Sequence, residues 1–82
     1  MPYIQQRQKT ELKDGREPST SGELNYTLTL VIKKYMDTKG LSYTTINDIL
    51  GALEGCKLEF YRRIAKPYED NKLSLNGDVY DK

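Results

Sequence analysis

The chain has 82 residues, one cysteine, Cys56, and no histidine. These absences constrain the fold more than any motif does. A body this small buries only about 60% of the surface its unfolded chain exposes, and it usually needs a disulfide, a metal or a partner chain. A lone thiol forms no intrachain bridge, and without an imidazole beside it the ligand set for zinc is missing. Haem and iron–sulfur ligation fail for the same lack of ligands, so no cofactor is expected. Association of copies into a homo-oligomer is the remaining source of stability.

Charge narrows the partners. Thirteen basic side chains face twelve acidic ones, whereas a polyanion binder normally shows a clear basic excess, so no duplex nucleic acid is expected. No run of about 18 apolar residues is present, so no membrane span is expected. The opening Met1-Pro2-Tyr3-Ile4-Gln5-Gln6-Arg7 lacks the apolar stretch of a secretory signal. An unpaired cysteine suits a reducing compartment, and the expected location is the cytoplasm. Seven tyrosines stand against one phenylalanine and no tryptophan. A ring with a polar tip suits subunit interfaces and ligand sites equally, so the excess marks surfaces that meet something.

Residues 1–21 read as a flexible N-terminal arm with a fraying turn around Lys9 to Lys13. Within 5–22 Leu12 is the one large apolar side chain, and Gly15, Pro18 and Gly22 punctuate the stretch, so burial cannot offset its ordering entropy. The Tyr3-Ile4 pair offers a docking point. A first helix is expected from Gly22 or Glu23, capped by Ser21. Leu24, Leu28, Val31, Ile32, Tyr35 and Met36 follow helical spacing, although Tyr26, Thr27, Thr29 and Val31 also favour a strand. Spacing sustained to Met36 decides for the helix, and Gly40 stops it.

Ser42 or Thr44 caps a second helix, whose apolar positions from Ile46 through Ile49, Leu50, Leu53 and Phe60 reach Ile64. Gly51 and Gly55 weaken it by roughly 1 kcal/mol each relative to alanine. Either tertiary packing rescues a locally weak helix, or another backbone crosses close to the glycines within an oligomer. Pro67 clashes with the carbonyl of Arg63 if the helix runs on, so a kink or an end is expected near Lys66. A further turn can begin with Pro67 at its first position. The expected fold is all-α: an antiparallel helical hairpin over 22–73 with a kinked second helix, followed by a C-terminal tail, 74–82.

Catalytic chemistry is not legible. Without histidine there is no Cys-His or Ser-His pair, and no glycine-rich phosphate loop occurs. Glu54, Glu59, Glu69 and Asp70 read as solvated ion-pair partners rather than as an acid–base pair, Glu59 preceding Arg62 and Arg63 in the favourable order. The chain is therefore not expected to be an enzyme. The most suggestive segment gathers Tyr61, Arg62, Arg63, Lys66 and Tyr68 within about three turns. Guanidinium groups grip phosphates bidentately and tyrosine rings stack on bases, a combination that suits a nucleotide. Asn76, Asp78 and Tyr80 of the tail add polar contacts for a base or ribose edge. The competing reading puts Phe60 and Tyr61 in a core or interface and pairs the cations with Glu59, Glu69 and Asp70.

The strings Leu41-Ser42-Tyr43, Lys57-Leu58-Glu59-Phe60-Tyr61-Arg62-Arg63, Pro67-Tyr68-Glu69-Asp70 and Asn76-Gly77-Asp78-Val79-Tyr80 resemble a family of short uncharacterised phage and prophage proteins. Pro2-Tyr3-Ile4 and Leu24-Asn25-Tyr26 look similar as well. The resemblance covers most of residues 22–80 and implies a viral or mobile-element origin, without an established activity. In size, two-helix plan, serine-capped second helix and abundant tyrosine, the chain is similar to phage anti-defence proteins that act as nucleotide sponges; that likeness is one of architecture. It implies an oligomer that sequesters a small cyclic nucleotide signal, with inhibition of a host factor by protein binding as the alternative.

Overall fold

The computed structural model describes residues 4–80. Tyr3, offered above as a docking residue, lies outside them, as does Pro2. Every regular element among the described residues is helical: α1 (Gln6–Lys13), α2 (Ser21–Lys39), α3 (Tyr43–Phe60), a π-helical turn (Tyr61–Ala65) and α4 (Lys66–Asn76). The all-α class is as expected, and the strand alternative at 25–32 is not taken. The chain forms two compact units, Met1–Ile46 and Asn47–Lys82.

In the first unit, the segment expected as a flexible arm carries a helix. Helix α1 begins where the Gln5 amide donates to Gln8 Oε1 at 2.7 Å, and it packs on α2. Leu12 is 5% exposed, the one buried apolar side chain among the described residues. Apolar periodicity cannot reveal this anchoring, because most of it is polar and converges on Glu23, 3% exposed. Gln8 Nε2 donates to one carboxylate oxygen of Glu23 at 2.8 Å. The guanidinium of Arg16 spans both oxygens, at 3.1 and 2.8 Å. The backbone and hydroxyl of Ser19 donate at 2.9 and 3.1 Å. Five donors on one carboxylate meet the requirement that a buried charge be paired and hydrogen-bonded. The bidentate Arg16 bond, followed by the Ser19 amide and Gln8, holds this carboxyl well below the ordinary glutamate value of 4.5.

The same residue starts α2. Its amide donates to Thr20 Oγ1 at 3.1 Å, so Thr20 is the cap, one residue before the expected Ser21. Helix α2 ends as expected at Gly40, whose φ of +84° suits glycine and whose amide donates to Met36 O at 2.7 Å. Ser42 caps α3, its hydroxyl accepting from the Thr45 amide at 3.1 Å.

The second unit is one helical run bent out of regular α geometry rather than ended. Proline at 67 supplies no amide proton and crowds the carbonyl four residues back. The turn before it widens: the Lys66 amide donates to Tyr61 O, five residues back, across the π-helical turn. Pro67 then stands in the first turn of α4, where a missing amide costs least. The run therefore continues to Asn76, past the kink expected near Lys66, and stops at Gly77, φ +86°. Within residues 47–80 no side chain is buried, and Ile49 and Ala65 alone are even half-buried. A Cβ built on Gly51 or Gly55 meets no heavy atom within 4 Å, so no neighbouring backbone within the chain explains these glycines.

Candidate functional site

The π-helical turn sets the candidate site, because it contains Tyr61, Arg62 and Arg63 and is followed by Lys66 and Tyr68. Such turns, held by bonds to the fifth residue back, recur where a helix carries function. Here the cause is local: Pro67 forces the widening. All five side chains are exposed.

Their charges are engaged within the run. Glu59 accepts from Arg62 at 2.6 Å and from Arg63 Nε on its other oxygen. Lys66 Nζ donates to Asp70 at 2.9 Å, and this bond raises its pKa. The phenol of Tyr61 donates to Glu69 Oε1 at 3.0 Å, which pushes its own ionisation up. The ammonium of Lys72 lies 5.5 Å from the centre of the Tyr68 ring, within cation–π range. The pairings of the competing reading are thus present, while the stretch lies open to solvent rather than sealed in a core. One carboxylate, Glu59, serves two guanidiniums, so this end of the row keeps a surplus of positive charge and of unspent N–H donors.

The candidate residues fall into two shallow grooves. Tyr61, Arg62 and Lys66 line one of about 420 Å³ with Gly55, Leu58 and Glu59. Tyr68 and Asn76 line another of about 470 Å³ with Glu69, Lys72, Leu73 and Gly77. Arg63 lines neither of these, nor do Asp78 and Tyr80. In the tail, Asp78 Oδ1 accepts from the Tyr80 amide at 2.8 Å, a local turn bond that spends the side chain on its own backbone. Tyr80 projects almost fully into solvent. The expected single constellation is therefore two surfaces in sequence along one helical run, with Asn76 in the second and with Asp78 and Tyr80 lining neither groove.

Sequence reasoning passed over the polar hub of the first unit, Gln8, Arg16, Ser19 and Glu23. A signal for part of it was present: Thr20-Ser21-Gly22-Glu23 matches the S/T-x-x-E pattern of a helix start. Both carboxylate oxygens of Glu23 are satisfied by neighbours in the chain, so the hub is a fastening of α1 to α2. Among the described residues no helix is long and apolar enough to cross a membrane. No curated protein and no solved structure matches the chain. Over residues 1–79, however, it matches a family model, and the chain belongs to that family, described as a domain of unknown function (DUF6899).

Proposed function

We propose that the chain is a phage-encoded, non-enzymatic binding protein that acts as a homo-oligomer in the host cytoplasm. It sequesters a small cyclic nucleotide immune signal and so inhibits host anti-phage defence. The observation that carries this reading is the surplus at Glu59: two guanidiniums share one carboxylate on an open surface. Each guanidinium has five N–H donors. The donors left over match phosphate oxygens in bidentate geometry, which Lys66 reinforces as a point charge. The exposed rings of Tyr61 and Tyr68 suit base stacking, and Asn76 and Tyr80 suit the polar edge of a base or ribose, whereas Asp78 is held by the Tyr80 amide. Sequestration makes and breaks no bond, so it needs these donors and rings and no nucleophile.

The test is calorimetry of the full chain against cyclic di- and trinucleotides and ADP-ribose derivatives. The proposal expects saturable heat with at least one of them, at least tenfold weaker in Arg62→Ala/Arg63→Ala. Absence of heat and of any thermal shift across the panel removes the nucleotide. The second reading, inhibition of a host factor by protein binding, is favoured by a different observation: the apolar side chains of α3 and α4 stand in solvent. Affinity capture from host lysate separates the two. A stoichiometric host protein supports inhibition, and a co-purifying small molecule supports sequestration.

A further inference from the structure

The second unit lacks what a folded body requires. A helical run of this kind gains most of its stability from packing an apolar face, and in isolation its nucleation cost leaves it marginal in water. Yet no residue of 47–80 is buried. Six of the exposed apolar side chains, Leu50, Leu53, Phe60, Ile64, Tyr68 and Leu75, recur at three- and four-residue steps, with Lys57 and Lys72 at the two positions the pattern skips, while Leu58, Tyr61 and Leu73 are exposed off it. This is the spacing of one helix face. Lysine at the skipped positions extends the stripe with its aliphatic stem, and the Lys72 ammonium lies over the Tyr68 ring. The ion pairs Glu59–Arg62 and Lys66–Asp70 use residues off that pattern.

We propose that this stripe, Leu50 to Leu75, is a self-association surface, covered in solution by the same stripe of a second copy. Area supports that occupant. Full burial of a large apolar side chain is worth about 1.5–3 kcal/mol at roughly 25 cal/mol per Å², equivalent to about 60–120 Å². Six such side chains, two of them aromatic and larger than the mean and each partly covered by its own helix, offer on the order of 450 Å² per protomer. Interfaces are about 60% apolar, so this corresponds to a contact of roughly 750 Å² on each side, close to the standard ~800 Å². Charge does not oppose it, because acidic and basic side chains nearly balance in this unit. Between Lys57 and Lys72 the stripe positions Phe60, Ile64 and Tyr68 carry no charge, so that stretch matches its own copy.

The inference deepens the oligomer named above and does not depend on any nucleotide. It changes one assignment: Tyr68 belongs to the seam, whereas Arg62, Arg63 and Lys66 lie off the stripe and stay accessible.

Sedimentation equilibrium of the full chain without ligand tests it. Wild type is expected at twice the 9.5 kDa chain mass. Phe60→Glu, which places a carboxylate in the seam, should weaken association at least 100-fold. Leu58→Glu alters a side chain that is exposed to a similar degree, 57% against 63%, but lies off the stripe, and it should remain a dimer. If Phe60→Glu unfolds, Phe60→Ala decides, with at least a tenfold weakening against less than twofold for Leu58→Ala. A wild type that is monomeric and fully helical overturns the proposal, as does equal weakening by the Phe60 and Leu58 variants. A failed nucleotide titration leaves these masses unchanged, so the two claims fail separately.

Discussion

Replacing Gly51 and Gly55 by alanine tests the geometry of the second unit from the side away from the stripe. Both glycines lie inside α3, neither has a positive φ, and an added Cβ meets no heavy atom within 4 Å. The substitution therefore carries no steric or backbone penalty in the chain, and the propensity difference is left to act alone. That difference is about 0.8–1.0 kcal/mol per glycine in a helix interior, so the double variant should gain about 1.5–2 kcal/mol. In a domain of this size 1 kcal/mol moves the melting temperature by about 4–8 °C, so a rise of roughly 6–16 °C is expected. Thermal unfolding followed by circular dichroism at fixed protein concentration measures it, with the oligomer mass checked alongside. Association should be unchanged, because the glycines do not share the spacing of Leu50, Leu53 and Phe60. An unchanged or lowered melting temperature, with a fall in mass, would mean that a partner backbone crosses at the glycines and that the stripe is the wrong face.

Three further outcomes follow from named contacts. Leu12→Ala should cost about 2 kcal/mol, near the low end for a buried leucine because it packs under a short helix; hydrogen exchange of α1 should accelerate while α4 is unaffected. Glu23 has a folded-state pKa below its ordinary 4.5, so its contribution is complete above that value and declines as pH falls below it toward the folded value. Denaturant titrations of wild type should weaken steadily below about pH 4.5, and Glu23→Gln should flatten that slope; an unchanged slope contradicts the hub. Pro67→Ala should gain about 1–3 kcal/mol and raise the helical signal, since it restores an amide donor and removes the cause of the π-helical turn. A neutral or destabilised variant would mean that the turn is held by something other than the proline.

Much of the fold was legible because it depends on short-range signals. The Leu24–Met36 spacing, Gly40 and Ser42 act within one or two turns, and each does its expected work. Helix α1 was legible only as a fraying turn around Lys9 to Lys13, because one leucine is too little to show a period and its remaining attachment is polar. The route of Arg16 to Glu23 depends on the bend at Gly15, whose φ is +108°. The cap lay one residue from its expected place because Ser21 and Thr20 are both competent, and the Glu23 partner chooses between them. Around Pro67 sequence reasoning anticipated a disturbance near Lys66 but not that a wider turn absorbs it. For the site, adjacency along one helix made the Tyr61–Tyr68 row predictable. The separation of Tyr68 and Asn76 from Tyr61 and Arg62 into different grooves was not, since it depends on which way each turn faces.

Most of these expectations rest on residues 47–80 holding their helix against another surface. Dilution of the unmodified full chain, with mass by sedimentation equilibrium and helicity at 222 nm read on the same samples, addresses this directly. The expected result is a dimer that dissociates on dilution, with helical signal lost in step with mass. A chain that stays fully helical at the monomer mass at every concentration would contradict it.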